Sequence, residues 1–324
     1  MKNQQNITIQ QYCRLTCVLT AAAALVLGIL RAVLTKTAFD QPLPYGITLG
    51  AAGVLLVVIL AVFGLENVRP IKVIGRMAQV SAAGAALAGA TLVVFSVVTA
   101  QQWFAWRVMP YPSKGSVSGL DTTFLYLLIA AGLAGGVFFL LLAVRWWRFE
   151  QMTGRFIPLL ALTPVLWSWI RLLRYITSHV SSLGLFRNVY DLGMIVFETL
   201  FFVLLARYVS GTSKKASRFF LGVSLCTGLL CTISGITQIG SFLAQEQAVF
   251  DTCALVISPD LGMAVFAFAT AFAQSFGTAG ASIDLQEEPR EMIADDFEDG
   301  QGAEFLLSDQ WFAVYDAEED EGIS

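Results

Sequence analysis

Eight runs of mostly apolar residues, separated by short polar intervals, divide the chain: 15–34, 46–65, 77–100, 124–144, 156–176, 189–209, 219–243 and 253–273. An α-helix rises about 1.5 Å per residue, so about 20 apolar residues cross the roughly 30 Å hydrocarbon core of a bilayer. Each run therefore predicts a membrane-spanning helix. The fifth departs from the pattern with Pro158, Pro164, Arg171 and Arg174. The eighth has two starting points, because Ser258-Pro259 resembles a helix cap followed by a proline at the first helical position. Seven and eight spans both satisfy the pattern. The first run is followed by Arg31 and Lys36 with no small-x-small cleavage site, which predicts a retained helix rather than a removed signal.

Composition agrees with that pattern. The chain is 56% hydrophobic and only 14% charged, with mean hydropathy +0.68, against about a quarter charged in soluble domains. The predicted fold class is an all-α polytopic transmembrane helix bundle of eight helices, or seven. Its expected organisation is a short N-terminal segment, 1–14, a helical bundle, 15–276, and an acidic tail, 277–324.

Charge then sets an orientation. With the N-terminus inside and eight spans, 13 of the 20 cations fall on the cytoplasmic side and 7 outside, among them Arg31, Arg171 and Arg174. Basic residues are retained in the cytoplasm, so both termini are expected there, with the plasma membrane as the expected address. Residues 284–324 hold 15 acids against the single cation Arg290, whereas the remainder carries a net charge of +10. The tail is too poor in apolar residues to form a core, which predicts disorder in isolation.

One motif recurs. Asp191-Leu-Gly-Met-Ile-Val-Phe197 returns as Asp260-Leu-Gly-Met-Ala-Val-Phe266, matching at six of seven positions. With Arg76, Arg155 and Arg218 preceding odd-numbered runs, this predicts parallel repeats of a helical hairpin. Small-residue stripes, Gly46-x-x-x-Gly50 continued by Gly53 in the second run and Ser81, Ala85 and Gly89 at four-residue spacing in the third, predict close helix packing, within the chain or, secondarily, between two copies. Trp103, Trp106 and Tyr111 suit an interfacial belt or a lid, and Trp146 and Trp147 a matching inner belt.

Glu198 lies about 13 Å into the sixth run, near the centre of the core. An ionised acid at that depth costs on the order of 2.5 to 3.5 kcal/mol on insertion scales, so it marks a candidate site. Asp191 stands seven residues earlier on the same face. Counting back across the intervening hairpin places Arg174 opposite Asp191, and Trp167 and Ser168 opposite Glu198. Asp260 opens the last helix as Asp191 opens the sixth. Thr227, Thr232, Ser234, Thr237 and Gln238 of the seventh run offer further polar groups. The candidate intramembrane site is thus Glu198, Asp191, Arg174, Ser168 and Asp260, suited to a proton-linked or cation pathway. Two plainer readings stand beside it: a first-turn aspartate stabilises its own helix by about 0.3 to 1 kcal/mol, and a buried glutamate can serve packing alone. The repeat copy has Ala267 where Glu198 stands, so the scaffold itself does not require the acid.

Catalytic and cofactor chemistry find no motif. His179 is the single histidine, the five cysteines have no metal-ligand spacing, and no nucleophile elbow, zinc-protease or phosphate-loop pattern occurs. A non-enzymatic protein without metal or cofactor is expected, with the lipid bilayer as its surroundings and no nucleic-acid partner. In the tail, Phe305, Leu307, Trp311, Phe312 and Tyr315 interrupt the acids at near-helical spacing, giving residues 303–316 the form of a docking motif for a cytoplasmic protein or for the chain's own basic loops. Two functions follow from sequence: a regulatory or assembly protein that recruits a partner through its tail, and a small-molecule or ion transporter or channel built on an intramembrane carboxylate.

Overall fold

In the computed structural model the described residues are 2–37, 42–65, 76–108, 119–148, 156–178, 189–210, 217–244 and 259–276. They form eight helices: α1 (Lys2–Thr37), α2 (Pro42–Leu65), α3 (Arg76–Val108), α4 (Gly119–Trp147), α5 (Ile157–Ser178), α6 (Val189–Val209), α7 (Ser217–Ala244) and α8 (Pro259–Phe276). Among the described residues there is no strand. The chain divides into two units, Met1–Thr278 and Ala279–Ser324, and every described residue belongs to the first. The tail motif Phe305, Leu307, Trp311, Phe312 and Tyr315 lies outside them, as do His179 and Tyr111.

Helices α1 to α7 are long and apolar enough to cross a membrane, which makes this a multi-pass membrane protein. Their outward faces are apolar. On α5, Leu159, Leu162, Leu166, Trp169, Leu173 and Ile176 are exposed at three- and four-residue intervals, while Ala161, Trp167, Ser168 and Ile170 are buried. Lipid tails solvate such a stripe at no cost, whereas in water so much exposed apolar surface would promote association.

Helix α7 forms the centre: 17 of the 22 residues 219–240 are buried, against 4 of the 18 residues 46–63 in peripheral α2. It packs against α1, α2, α6 and α8, and α8 in turn packs against α3 and α1. Although α8 has only 18 residues, 13 of them are buried. That position explains why it falls short of the apolarity that α1 to α7 reach. A helix surrounded by protein can carry Asp260, Thr270 and Gln274, which meet side chains rather than tails. It begins at Pro259, the later of the two starts the sequence offers. At its other end Arg14 Nε of α1 donates to the Ser275 carbonyl at 3.2 Å, placing a cation against exposed helix carbonyls.

Small residues set the close contacts. A methyl group on Gly89 of α3 would stand 2.9 Å from the Gly136 carbonyl oxygen and 3.0 Å from Leu140 Cγ, both on α4. One on Gly262 of α8 would collide with the Thr91 hydroxyl of α3. Ser81 donates to the Ala269 carbonyl at 3.3 Å, so the α3 stripe packs within the chain as expected. The α2 stripe does not. Around Gly46, Gly50 and Gly53 no described atom lies within 4 Å of an added methyl group, because α2 touches the bundle with Ala52, Ile59 and Phe63 instead.

Two helices outrun their apolar segments. Helix α1 begins at Lys2 and α3 continues to Val108, past the expected ends at 15 and 100. Neither extension contains a proline or glycine, and a helix already nucleated in lipid adds residues cheaply. Trp103, read as part of an external segment, is therefore helical, and its indole N–H donates to the Tyr126 hydroxyl of α4 at 3.2 Å.

Candidate functional site

The apolar stripe of α5 fixes the opposite face, so Arg171 points inward with Trp167 and Ser168. On α6, Tyr190, Met194, Glu198, Phe201 and Leu205 recur every three or four residues as its buried side. Antiparallel packing of α5 on α6 brings Arg171 and Glu198 together. Arg171 Nη1 stands 3.1 Å from Glu198 Oε2 and 2.8 Å from Asp260 Oδ1, so one guanidinium holds acids from two helices. Both carboxylates are fully buried and the arginine side chain is 21% exposed.

From Asp260 the polar contacts continue across α7. Gln238 Nε2 lies 3.2 Å from Asp260 Oδ2 and 3.4 Å from Ser234 Oγ, and the Ser234 hydroxyl donates to Asp191 Oδ1 at 3.3 Å. Ser234 and Gln238 share one face because they are four residues apart. The result is a continuous line, Glu198, Arg171, Asp260, Gln238, Ser234, Asp191, that starts on α6, passes through α5, α8 and α7, and returns to α6. The two aspartates of the recurring motif occupy matched places, each in a first turn and each bonded to α7. At the rim, Arg31 of α1 is buried with its guanidinium 4.0 Å from the centre of the Tyr190 ring, a cation–π contact beside Asp191.

The other α7 hydroxyls turn away from this line. Thr227, Thr232 and Thr237 donate to carbonyls one turn back on their own helix, and Thr227 also donates to the Phe197 carbonyl. Ser168 does the same, donating to Val165. It is buried where the sequence put it, but its hydroxyl is engaged by its own helix and Arg171 is the α5 residue that reaches Glu198. The correction has a geometric cause. Helical side chains lean toward the N-terminus of their own helix. In an antiparallel pair two such side chains lean toward one another, and a long arginine meets a partner about a turn away from the residue at equal height.

A cavity of about 340 Å³ adjoins the line. Arg171, Arg174, Asp191 and Gln238 supply its polar wall, while Trp167, Phe95, Leu128, Met194 and Ile195 supply apolar surface. Its volume falls within the roughly 300 to 1,000 Å³ usual for small-molecule sites. The Trp167 indole N–H is fully buried against α4, where a methyl group on Gly132 would stand 3.2 Å from it, and makes no hydrogen bond among the described residues. Deeper in the bundle an aromatic layer closes the centre: Phe201 stacks on Phe220 at 5.5 Å and meets Phe266 at 5.6 Å, and Phe139 meets Phe266 at 5.2 Å.

Among the described residues no three His, Cys, Asp or Glu side chains form a metal site. Of the sequence-predicted residues, Glu198, Asp191 and Asp260 join one network and Arg174 lines its cavity. Arg171 and Arg31 were passed over as external charges. Compared with protein-family models, curated proteins and solved structures, the chain matches none.

Proposed function

We propose that this is a non-enzymatic carrier of a small polar molecule or ion, in which the buried acids and Arg171 form the substrate-responsive element. The observation that supports it is a single guanidinium shared by Glu198 of α6 and Asp260 of α8, beside a cavity large enough for a small molecule. Packing alone has no use for such an arrangement. A buried ion pair rarely adds stability over apolar side chains of equal size, and in lipid each charge carries an insertion cost. Arg171 ties together α5, α6 and α8, so a guest that competes for its partners loosens all three. The aromatic layer is then the barrier that must part for passage.

We take the N-terminus to be cytoplasmic, with the plasma membrane as the address, because Arg31 and Arg171 are inside the bundle and no longer count as outer loop charges; the C-terminus shares that side if α8 crosses as the eighth span. Purified full-length protein in proteoliposomes tests the carrier, with uptake of labelled amino acids, amines and carboxylates as the readout. Glu198→Gln should lower uptake at least tenfold in protein that remains monodisperse, and unchanged uptake sinks the reading.

The acid-rich tail favours a second role, recruitment of a cytoplasmic protein through residues 303–316, with Trp311, Phe312 and Tyr315 as anchors. Deleting 284–324 should abolish that recruitment and leave uptake intact.

A further inference from the structure

A second cavity, of about 40 Å³, lies toward the other end of the bundle from the acid network. Helices α3, α4, α6 and α7 line both cavities from their opposite ends, with Asp191 and Tyr208 on α6 and Gln238 and Phe220 on α7. The aromatic layer stands between them, since Phe220 stacks on Phe201 as well as on Tyr208. We propose that this second cavity binds a small monovalent cation through the oxygens of Ser81, Thr270 and Gln274. The site is apart from the acid network and does not rest on the carrier reading.

Two hydroxyls on its wall have their protons engaged elsewhere. Ser81 donates to the Ala269 carbonyl at 3.3 Å. Thr270 sits in a triangle with Ser224 Oγ at 3.0 Å and the Ala267 carbonyl at 2.8 Å, and the Ser224 hydroxyl lies 2.6 Å from the same carbonyl. However the triangle is oriented, the Thr270 proton stays inside it. Both oxygens therefore have only lone pairs left to offer a guest. Gln274 follows Thr270 by four residues on the same face of α8, is 5% exposed, lines the cavity, and makes no hydrogen bond among the described residues. A buried amide in that position is costly unless a guest bonds to it. With its carbonyl turned inward it adds a third acceptor.

Three acceptors favour a guest that is positively charged and oppose an anion. None of the described residues on the wall is an acid or a basic residue, and Arg145 and Arg207, next in sequence to Trp146 and Tyr208, are exposed and do not line it. Divalent ions bind through carboxylates, so their absence from the described wall points to a single charge. A water needs about 10 to 15 Å³ of cavity, which leaves room here for an ion of similar size and a water or two to complete its shell. Fixed neutral oxygens that replace hydration water hold such ions in selectivity filters.

The test measures binding to the full chain in detergent, with no transport step. Midpoints of thermal unfolding are compared in ammonium, sodium, potassium and choline chloride at one ionic strength, choline being too large for the cavity. Saturable binding of radioactive sodium and rubidium is followed by equilibrium dialysis. At least one small cation should stabilise the protein above choline, because it binds only the folded site. Gln274→Leu should weaken that cation about tenfold or more, the scale of one lost bond to a charge, with a midpoint in choline close to the parent's. Gln274→Glu supplies a charged oxygen and should tighten it by about tenfold or more. The glutamate variant decides the matter alone if the leucine variant aggregates. Equal midpoints in all four salts, no saturable binding, or an affinity that neither variant moves overturns the proposal and leaves water as the occupant.

Discussion

Replacing Arg171 with methionine removes the one cation among the described residues within ion-pair distance of both Glu198 and Asp260 while keeping an unbranched side chain of similar reach. Asp260 retains Gln238 at 3.2 Å, but Glu198 keeps no hydrogen-bond partner among the described residues. Removing one member of a buried pair costs about 3 to 5 kcal/mol, because the survivor stays buried without compensation. Insertion scales give a similar figure, about 2.5 to 3.5 kcal/mol for an unpaired charge near mid-membrane. Taking about 4 kcal/mol, and about 2 to 4 °C per kcal/mol for a bundle of this size, the midpoint of thermal unfolding in detergent should fall by about 10 °C. The loss is specific to the acids that Arg171 neutralises. Adding Glu198→Gln and Asp260→Asn to Arg171→Met should therefore restore more than half of it, since the triple variant buries no charge in this trio. A single variant as stable as the parent, or a triple variant no better than the single, would refute the reasoning.

Two further outcomes follow from packing. Gly89→Leu should destabilise by about 3 kcal/mol, because its side chain must displace the α4 backbone at Gly136 and Leu140. Gly50→Leu should not destabilise and should gain up to about 1 kcal/mol, since a methyl group there meets nothing described within 4 Å and leucine favours a helix over glycine; paired melting curves check both. Cys13, Cys17, Cys226 and Cys231 are buried, so in a Cys253→Ser background native protein should react with a maleimide far more slowly than protein unfolded in SDS. Equal rates would show that the α1–α7 and α7–α8 contacts are open.

Much of the fold was legible because lipid leaves few choices. Backbone groups in hydrocarbon must be satisfied within their own segment, so length and apolarity suffice to find α1 to α7. The same logic loses force at α8. There the solvent is protein, and Asp260, Thr270 and Gln274 are permitted by partners that are distant in sequence: Arg171 and Gln238 for Asp260, Ser224 for Thr270. The glycine stripes show the limit from the other side. Gly46, Gly50 and Gly53 have the same spacing logic as the α3 stripe, yet spacing records only that a close approach is permitted. Which helix accepts it depends on the faces chosen by all the others.

The site was half legible for a related reason. Acids in an apolar run are conspicuous, so Glu198, Asp191 and Asp260 stand out with no structure in hand. Arginines near a helix end are ambiguous, since the same residue can orient the protein from outside or neutralise acids within. Position along the helix does not decide between them, but the faces of α5 do. Leu162, Leu166, Trp169 and Leu173 mark the lipid side, and Arg171 lies opposite, in line with Ala161, Pro164 and Ser168. Leaning toward the start of α5, it meets Glu198 leaning toward the start of α6. Arg174 lies nearer the end of its helix and reaches the cavity wall instead. Three residues of sequence thus separate an arginine that joins two buried acids from one that lines the cavity beside them, and only the faces of the folded helices distinguish the two.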